Sequence, residues 1–350
     1  MSFSLDHLPR AHGGPAGMAV LRRTPEDFQV EEIIDFDATE PGESDARFLW
    51  LKVRKTGANT AWVAERLAER AGCVPRDVGY AGLKDRHAVT TQWFSLPNRN
   101  QAIDWSGLRE RGIEVLEQAY CPHKLRRGEL DGNRFVIRLR DLDVDRDVLV
   151  QRLQTIAAAG APNYFGEQRF GRDGNNRTEA RNMFAGKPVR DRHLRGLYLS
   201  AARAELFNRV LALRVEAGTW NQAMEGEAFV DSDNEPVYVG QVDEAVLERL
   251  AQGRIHPSGP MWGSGYPLVR GACRGLERRV MEENVELAEG LERERLRLQR
   301  RALRLMLEGF EWDWSEDGLE IRFRLMRGGF ATVVIGELVW MKRVNLNSGI

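Results

Sequence analysis

Residues 133–140 read Asn-Arg-Phe-Val-Ile-Arg-Leu-Arg, and their alternation indicates the kind of fold. In an extended chain, Phe135, Ile137 and Leu139 share one face, while the arginines share the other face with Val136. A period of two is typical of a strand that buries one face and exposes the other. The stretch therefore predicts a half-buried strand with a basic outer face.

Strand patterns occur towards both ends of the chain, and helical patterns fill the middle. The other predicted strands cover residues 28–36, 47–54, 89–96, 319–326 and 330–340. The predicted helices cover residues 59–71, 145–159, 176–185, 199–216, 243–251 and 275–307. Two C-terminal strands do not make a stable sheet alone, so we expect them to join the N-terminal strands.

This order of elements predicts a discontinuous sheet domain that carries an insertion. The sheet domain comprises residues 1–158 and 308–350, and a mostly helical domain of residues 159–307 is inserted between its two parts. Two consecutive domains are the simpler alternative. The insertion is favoured because the two ends of a domain commonly lie close together.

The composition argues against membrane-spanning and disulfide-stapled proteins. The 350 residues contain no run of about 18 apolar residues, which a transmembrane helix needs. The N-terminal sequence lacks the basic start and the apolar run of a secretory signal. The three cysteines, Cys73, Cys121 and Cys273, form no Cys-x-x-Cys pair, which argues against a disulfide scaffold or a zinc ribbon. We therefore expect a protein of the reducing cytoplasm.

The charge is balanced overall but segregated along the chain. The 51 Lys and Arg residues nearly match the 52 Asp and Glu residues, whereas residues 121–214 hold 19 basic against 11 acidic side chains. Arginine suits bidentate phosphate contacts and stacking on bases. A basic stretch favours a polyanionic partner such as nucleic acid, but helices with solvated charged faces explain it equally well.

A carboxylate flanked by cations stands out in residues 79–93, Gly-Tyr-Ala-Gly-Leu-Lys-Asp-Arg-His-Ala-Val-Thr-Thr-Gln-Trp. Asp85 lies between Lys84 and Arg86, on a loop that leads into the predicted strand 89–96. Neighbouring cations favour the ionised form of a carboxylate, and a fixed, ionised Asp can act as a nucleophile or as a base. A surface turn with solvated charges is the alternative interpretation.

Aromatic residues alternate with arginine and glycine in residues 163–171, Asn-Tyr-Phe-Gly-Glu-Gln-Arg-Phe-Gly. Such rings offer faces for base stacking, and arginines offer phosphate contacts. A glycine-rich loop whose aromatic residues anchor it to a core is an equally good interpretation. Three shorter segments, residues 24–32, 131–135 and 327–332, are each explained by ordinary turns when taken singly.

Sequence motifs for metals and nucleotide cofactors are missing. The six histidines show no i, i+4 pairing, and neither a phosphate-binding P-loop nor a dinucleotide-binding glycine motif occurs. The serine-nucleophile elbow is absent as well. We therefore predict no metal and no nucleotide cofactor.

Taken together, the segments resemble the TruD-type tRNA pseudouridine synthases. Residues 79–93 match that family closely, and residues 163–171 match a second block. Further matching blocks are residues 25–28, 132–135, 200–208 and 328–332. The blocks follow the family order and span nearly the whole chain.

The resemblance implies a pseudouridine-synthase-like fold of the α+β class. A mixed, mainly antiparallel sheet domain carries the catalytic residues, and a family-specific, mostly helical domain is inserted into it. The implied activity is that of an isomerase that converts a uridine in tRNA to pseudouridine, at position 13 in bacterial members. By the same resemblance, Asp85 takes the catalytic position, and Arg22 becomes its partner. The positions around the target uridine are taken by Phe28, Lys84, Asn133 and Phe330.

The implied reaction agrees with the missing cofactor motifs, because an isomerisation adds and removes nothing. The sequence leaves open whether Asp85 attacks C1′ or removes the C2′ proton. A non-catalytic RNA-binding or chaperone protein on the same scaffold is the main alternative, and a hydrolase that uses Asp85 is a second. We expect tRNA as the partner, no association with membranes, and a monomer.

Overall fold

The structure, a computed structural model, describes residues 7–40, 42–43, 46–237 and 241–342. The chain divides into two compact units. The sheet unit comprises Met18–Asp143, Leu307–Gly328 and Met341–Ile350. The helical unit comprises Met1–Gly17, Val144–Met306 and Gly329–Trp340. The predicted sheet domain includes residues 1–6 and 343–350, which lie outside the described residues.

Strands and α-helices are numbered in chain order. The strands are β1 (Gly17–Leu21), β2 (Phe28–Ile33), β3 (Phe48–Thr56), β4 (Val89–Pro97), β5 (Ile113–Cys121), β6 (Gly132–Val144), β7 (Ala161–Pro162), β8 (Phe229–Val230), β9 (Pro236–Val237), β10 (His256–Met261), β11 (Gln299–Ala302), β12 (Arg304–Leu305), β13 (Glu308–Ser315), β14 (Gly318–Met326) and β15 (Trp340–Lys342). The helices are α1 (Thr60–Ala71), α2 (Arg146–Ala159), α3 (Asn175–Phe184), α4 (Arg192–Glu216), α5 (Glu244–Ala251), α6 (Gly271–Glu282), α7 (Val285–Arg293) and α8 (Ala331–Leu338).

Among the described residues, a nine-stranded sheet forms the frame of the sheet unit, and it is mainly antiparallel, as expected. Its main path runs β13-β14-β6-β2-β4-β3-β5, with β1 beside β6 and β15. Along this path β2 and β4 pair in parallel, and the other pairs are antiparallel. β14 pairs with β6, from Leu319 opposite Leu139 to Met326 opposite Gly132. A C-terminal strand therefore joins the N-terminal strands, which confirms that part of the prediction.

Strand β6 confirms the alternation of residues 133–140. The apolar side chains of this stretch on one face are buried, and Phe135 stacks on Phe323 of β14 with ring centroids 5.4 Å apart. On the opposite face, Arg138 forms an ion pair with Glu320 at 2.7 Å. The basic face is therefore partly neutralised by acidic side chains of the next strand.

Helix α1 packs against β3 and β4. Val63 and Leu67 of the helix share a core cluster with Leu51 and Phe94 of the two strands. Gly72 ends the helix with φ = +65°, a left-handed conformation that glycine adopts without a Cβ clash. Because one face of α1 packs on β3 and β4, the N-terminus of the helix is held close to β4, which follows the loop that carries Asp85.

Helix α4 is the central helix of the helical unit. Its N-terminus is capped by Asp191, whose carboxylate accepts hydrogen bonds from two backbone N–H groups. Phe207 packs with Phe165 in one core cluster, and Leu206 packs with Leu287 of α7 in another. Two small sheets, β11-β10-β8-β9 and β12-β7, complete this unit. None of the helices in the described ranges is long and apolar enough to cross a membrane.

The predicted strand over residues 330–340 is wrong, because Ala331–Leu338 form helix α8. Four successive β-branched residues, at 332–335, favour a strand. Every residue of α8 except Thr332 is buried. A helix that is buried on nearly all sides shows little period of 3.6, so its pattern matches a buried strand.

The predicted helix over residues 275–307 is wrong in its second half. Helix α7 ends at Arg293, and strands β11 and β12 follow. Arg300 of β11 is buried and forms an ion pair with Glu277 of α6 at 2.8 Å. Its charge is neutralised by a partner distant in the chain, which the local pattern of arginines does not show.

The predicted domain boundaries, at 158/159 and 307/308, stay a prediction. The compact units differ from them, because α2 and residues 329–340 group with the helical unit. The reason lies in packing, since α8 contacts both α2 and β7.

Candidate active site

The two loops that carry Arg22 and Asp85 lead into neighbouring strands. Arg22 lies between β1 and β2, and Asp85 lies just before β4. β2 and β4 run parallel, with Gln29 opposite Val89. Parallel neighbours begin at the same edge of a sheet, so the segments that precede them meet at that edge. This pairing brings together residues that are far apart in the chain.

Both carboxylate oxygens of Asp85 have a partner. Oδ2 lies 2.9 Å from Nη2 of Arg22, and Oδ1 accepts a hydrogen bond from the backbone N–H of His87 at 3.0 Å. The second contact is an Asx-type turn, which fixes the side chain against its own loop. The Asp85 side chain is 19% exposed. The carboxylate is therefore held in place and still open to a ligand.

Arg22 reaches Asp85 from an unusual backbone conformation. Its φ is +61°, in the left-handed region that costs a non-glycine residue about 1–2 kcal/mol. Its guanidinium carbon lies 4.0 Å from the ring centroid of Phe28, a cation–π contact. Burial lowers the pKa of Arg22, and the charge of Asp85 opposes that shift. Backbone strain and desolvation thus coincide at this contact, as they often do at functional sites.

Phe28, the first residue of β2, is only 4% exposed. Its ring packs edge to face on Phe135 of β6, with centroids 6.2 Å apart. The Arg22 guanidinium lies against the same ring. The ring therefore supports Arg22, and little of its surface is open to a base.

Lys84 is held by two side chains of the sheet. Its Nζ lies 2.8 Å from Oε2 of Glu32 and donates a hydrogen bond to Oδ1 of Asn133 at 2.6 Å. Glu32 on β2 pairs with Asn133 on β6, so both partners are positioned by the sheet register. Lys84 occupies the acceptor of the Asn133 amide, whose Nδ2 donor has no hydrogen-bond partner among the described residues.

Two residues that the sequence interpretation missed hold the Asp85 loop, residues 79–88. Oγ1 of Thr60, the first residue of α1, accepts a hydrogen bond from the backbone N–H of Lys84 at 2.9 Å. It also donates to Oε1 of Gln92 at 3.1 Å. Nε2 of Gln92 in turn donates to the carbonyl of Gly82 at 3.2 Å. No pattern in the sequence links these positions, because the sheet and α1 bring them together.

Lys55 holds the backbone of Asp85 itself. Its side chain is fully buried, and Nζ donates to the carbonyl oxygens of Ala58 at 2.7 Å and Asp85 at 3.0 Å. Burial lowers the pKa of Lys55 to about 8; the charge of Asp85 opposes this shift, and that of Lys84 adds to it. The sequence pattern does indicate that Lys55 is buried. In β3, Lys55 follows Val53 by two residues, so the alternation of the strand places both side chains on the buried face.

The remaining predicted site residue, Phe330, lies in the helical unit. Its ring is half-buried and meets Phe165 edge to face, with centroids 6.0 Å apart. Tyr164, Phe165 and Phe170 are all buried in the core of this unit. For residues 163–171 the structure therefore favours aromatic anchors of a loop over exposed stacking platforms.

The arrangement in the sheet unit offers a fixed carboxylate beside a cation. Such a carboxylate can attack an electron-poor carbon or accept a proton. Arg22, Phe28, Lys84, Asp85 and Asn133 are brought together there through the contacts given above. Within the described ranges, no group of three or more His, Cys, Asp or Glu side chains could hold a metal ion.

Comparison with known proteins gives matches over nearly the whole chain. The sequence model of the family described as tRNA pseudouridine synthase D (TruD) matches residues 11–189 and 177–338. The tRNA pseudouridine synthase D of Methylococcus capsulatus is 48% identical over 338 residues, which covers 95% of this chain and 94% of the relative. That of Nitrosococcus oceani is 44% identical over 337 residues and covers 94% and 93%.

The fold agrees with a solved structure of the same description. The TruD structure from Methanosarcina mazei has a TM-score of 0.72 and 22% identity, and the match covers 95% of this chain and 96% of that one. This likeness confirms the expected fold. With the sequence matches, it leads to one conclusion: the chain belongs to the tRNA pseudouridine synthase D (TruD) family, a family of isomerases.

Proposed function

We propose that this protein converts a uridine of tRNA to pseudouridine and that Asp85 is its catalytic carboxylate. The main support is the carboxylate itself, which Arg22 and the His87 N–H hold while it stays partly exposed. Family membership supports tRNA as the substrate class. We propose position 13 of the tRNA as the target, as the resemblance implies.

Pseudouridine formation is an isomerisation at C1′ of the sugar. The N1–C1′ bond breaks, a C5–C1′ bond forms, C5 loses its hydrogen as a proton, and N1 gains one. Asp85 can attack C1′ and form a covalent sugar intermediate, or it can remove the C2′ proton to give a glycal. Both routes need an ionised carboxylate held against the sugar, and the contacts from Arg22 and His87 serve that need.

Asn133 is the residue that we assign to the uracil edge. Its Oδ1 is occupied by Lys84, which leaves Nδ2 to donate a hydrogen bond. Uracil presents carbonyl acceptors at O2 and O4, so a fixed amide donor complements it. Lys84 contributes to substrate binding by orienting this amide, because Glu32 and Asn133 already engage its ammonium.

Two aromatic residues have different proposed roles. Phe28 acts through Arg22, whose guanidinium it supports. Phe330, half-buried at the N-cap of α8, is the ring that we assign to stacking on the target base. Extruding a base costs a few kcal/mol, and stacking on an aromatic ring returns about 1–3 kcal/mol.

The proposal also covers how the protein binds tRNA, its oligomeric state, its location and its cofactor requirement. The basic stretch of residues 121–214 would contact tRNA phosphates, which makes binding weaken with salt. Action as a monomer in the cytoplasm, without a nucleotide cofactor, completes the proposed function. An RNA chaperone on this scaffold would bind without isomerising, and a hydrolase would release free base or phosphate.

Tritium release gives a direct test of the proposed reaction. An unmodified tRNA transcript carrying tritium at C5 of uridine is incubated with the purified protein. We expect release of about one tritium per tRNA, because C5 loses its hydrogen when it bonds to C1′. A transcript with cytidine at position 13 should release none. Asp85→Asn should lower the rate by at least about 1000-fold, while tRNA affinity stays within about threefold.

Asp141→Asn is the matched control for that variant. Asp141 forms an ion pair with Arg23, the neighbour of Arg22, on an exposed part of the same unit. Asp141→Asn removes the ion pair with Arg23, and this loss should leave turnover unchanged. Wild-type protein that binds tRNA tightly and releases no tritium would favour the chaperone. Substantial turnover by Asp85→Asn would remove Asp85 from the mechanism.

A further inference from the structure

We propose that Lys55 is a positioning residue for the reaction, because its ammonium holds the backbone carbonyl of Asp85 and so fixes where the carboxylate points. The role rests on the proposed function of Asp85.

The contact geometry is specific to Asp85. Nζ of Lys55 donates to the carbonyl oxygen of Asp85 at 3.0 Å and to that of Ala58 at 2.7 Å. Ala58 lies just before α1, which is packed against the sheet. The ammonium therefore ties the Asp85 loop to a rigid part of the unit.

The carboxylate and the carbonyl of Asp85 are held by different groups. Arg22 and the His87 N–H hold the carboxylate oxygens, whereas Lys55 holds the carbonyl. Thr60 binds the preceding peptide N–H, that of Lys84. Without Lys55, the carbonyl of Asp85 loses its charged donor, and the carboxylate can shift relative to the sugar.

A fully buried lysine is costly, which argues for a specific use. Within the described ranges, Lys55 forms no ion pair with a carboxylate, and two backbone carbonyls receive its N–H groups. Desolvating an ammonium that only two carbonyls compensate is unfavourable. A methionine would fill the same space at lower cost if stability were the whole purpose.

The charge of Lys55 also suggests a pH readout. Burial lowers its pKa to about 8. The charged groups that act on it are both on the Asp85 loop: Asp85 raises the pKa, and Lys84 lowers it. Above about pH 8 the ammonium loses its proton and its charge, which weakens its hydrogen bonds to the two carbonyls. If the ammonium positions Asp85, the turnover rate falls over the same range.

Lys55→Met and Lys52→Met form a matched pair for the test. Lys52 is on the same strand and pairs with Glu31 at a partly exposed position. Single-turnover tritium release from saturating enzyme is measured between pH 6 and pH 9.5. We expect Lys55→Met to be slower than wild type by about 100-fold, with tRNA affinity within about threefold, since a displacement of about 1 Å can cost that much. Lys52→Met should match wild type.

The outcomes separate this role from the proposed function and from a purely structural role. No tritium release by wild type would mean that the proposed function fails. A folded Lys55→Met that turns over like wild type would overturn the positioning role alone. If Lys55→Met does not fold, the positioning role is tested by the dependence of the turnover rate on pH in wild type and in Lys55→Arg. The alkaline decrease should occur in wild type and move to higher pH in Lys55→Arg, and its absence from wild type overturns the role.

Discussion

Nη2 of Arg22 lies 2.9 Å from Oδ2 of Asp85, and Arg22 makes this contact with a backbone φ of +61°. The side chain that holds the proposed catalytic carboxylate therefore starts from a backbone conformation that glycine would adopt at lower cost. Function and stability conflict at this position, and substitutions of Arg22 separate the two.

Arg22→Gly and Arg22→Ala both remove the guanidinium, so both should lower turnover by about 100-fold. They differ in the backbone. We expect Arg22→Gly to be more stable than Arg22→Ala by about 1 kcal/mol, because alanine keeps the Cβ that disfavours positive φ. Urea unfolding of the two variants measures this difference. Equal stability, or a more stable Arg22→Ala, would show that the backbone at Arg22 is not strained.

Phe28→Leu tests whether this ring acts through Arg22. We expect about a tenfold loss of turnover, because the guanidinium loses its cation–π partner. Phe135→Leu is the matched control, since Phe135 packs on Phe28 in the same core. Each variant should lose about 1–2 kcal/mol of unfolding free energy. If turnover falls equally in both variants, the loss reflects core packing alone.

Asn133→Asp tests the proposed donor to uracil. The carboxylate can still accept the hydrogen bond from Lys84, but it has no N–H to offer to a uracil carbonyl. Loss of one such hydrogen bond predicts a decrease in kcat/KM of about 10- to 100-fold. Steady-state tritium release gives kcat/KM. A variant with wild-type kcat/KM would exclude the donor role of Asn133.

Glu337 of α8 predicts a pH dependence of stability in the helical unit. Burial raises its pKa to about 7 from an ordinary 4.5, although Arg10, the N–H groups of Ala11 and His12, and Arg152 oppose the shift. The folded state binds this proton more tightly than the unfolded state, so its contribution is fully present below about pH 4.5 and is lost as pH rises through 7.

Glu337→Gln isolates this contribution because glutamine does not titrate. Urea unfolding at pH 5 and pH 8 gives the free energy of unfolding of wild type and variant. We expect wild type to lose about 2 kcal/mol relative to the variant between these pH values. A difference that does not change with pH would show that Glu337 is ionised in the folded protein at pH 5.

The sequence predicted strand β6 and helix α1 because each has one buried and one exposed face. Alternation marks the first, and helical spacing that ends at Gly72 marks the second. It failed for α8, where burial on every side removes the periodic signal. It failed again at Arg300, whose charge is neutralised by Glu277 across the fold. The sequence pattern therefore predicted which residues are buried only in elements that have one face exposed to solvent.

For the candidate site, the sequence predicted most readily those residues that are close together in the chain. Lys84 and Asp85 stand together in one unusual loop, and the family resemblance adds the other positions. Thr60 and Gln92 carry no local signal, because a threonine at a helix start and a glutamine in a strand are common. Only the packing of α1 against β4 shows that both hold the Asp85 loop.

The parallel pairing of β2 with β4 has a consequence for how the protein folds. The antiparallel contact between Thr56 and Val89 joins the consecutive strands β3 and β4, whereas the contact between Gln29 and Val89 passes over β3 and closes a longer loop. Long loops close late, since the chain entropy is lost before the contact forms. In refolding from urea, catalytic competence should return after most of the circular dichroism signal, because Arg22 and Asp85 meet only when β2 and β4 have paired.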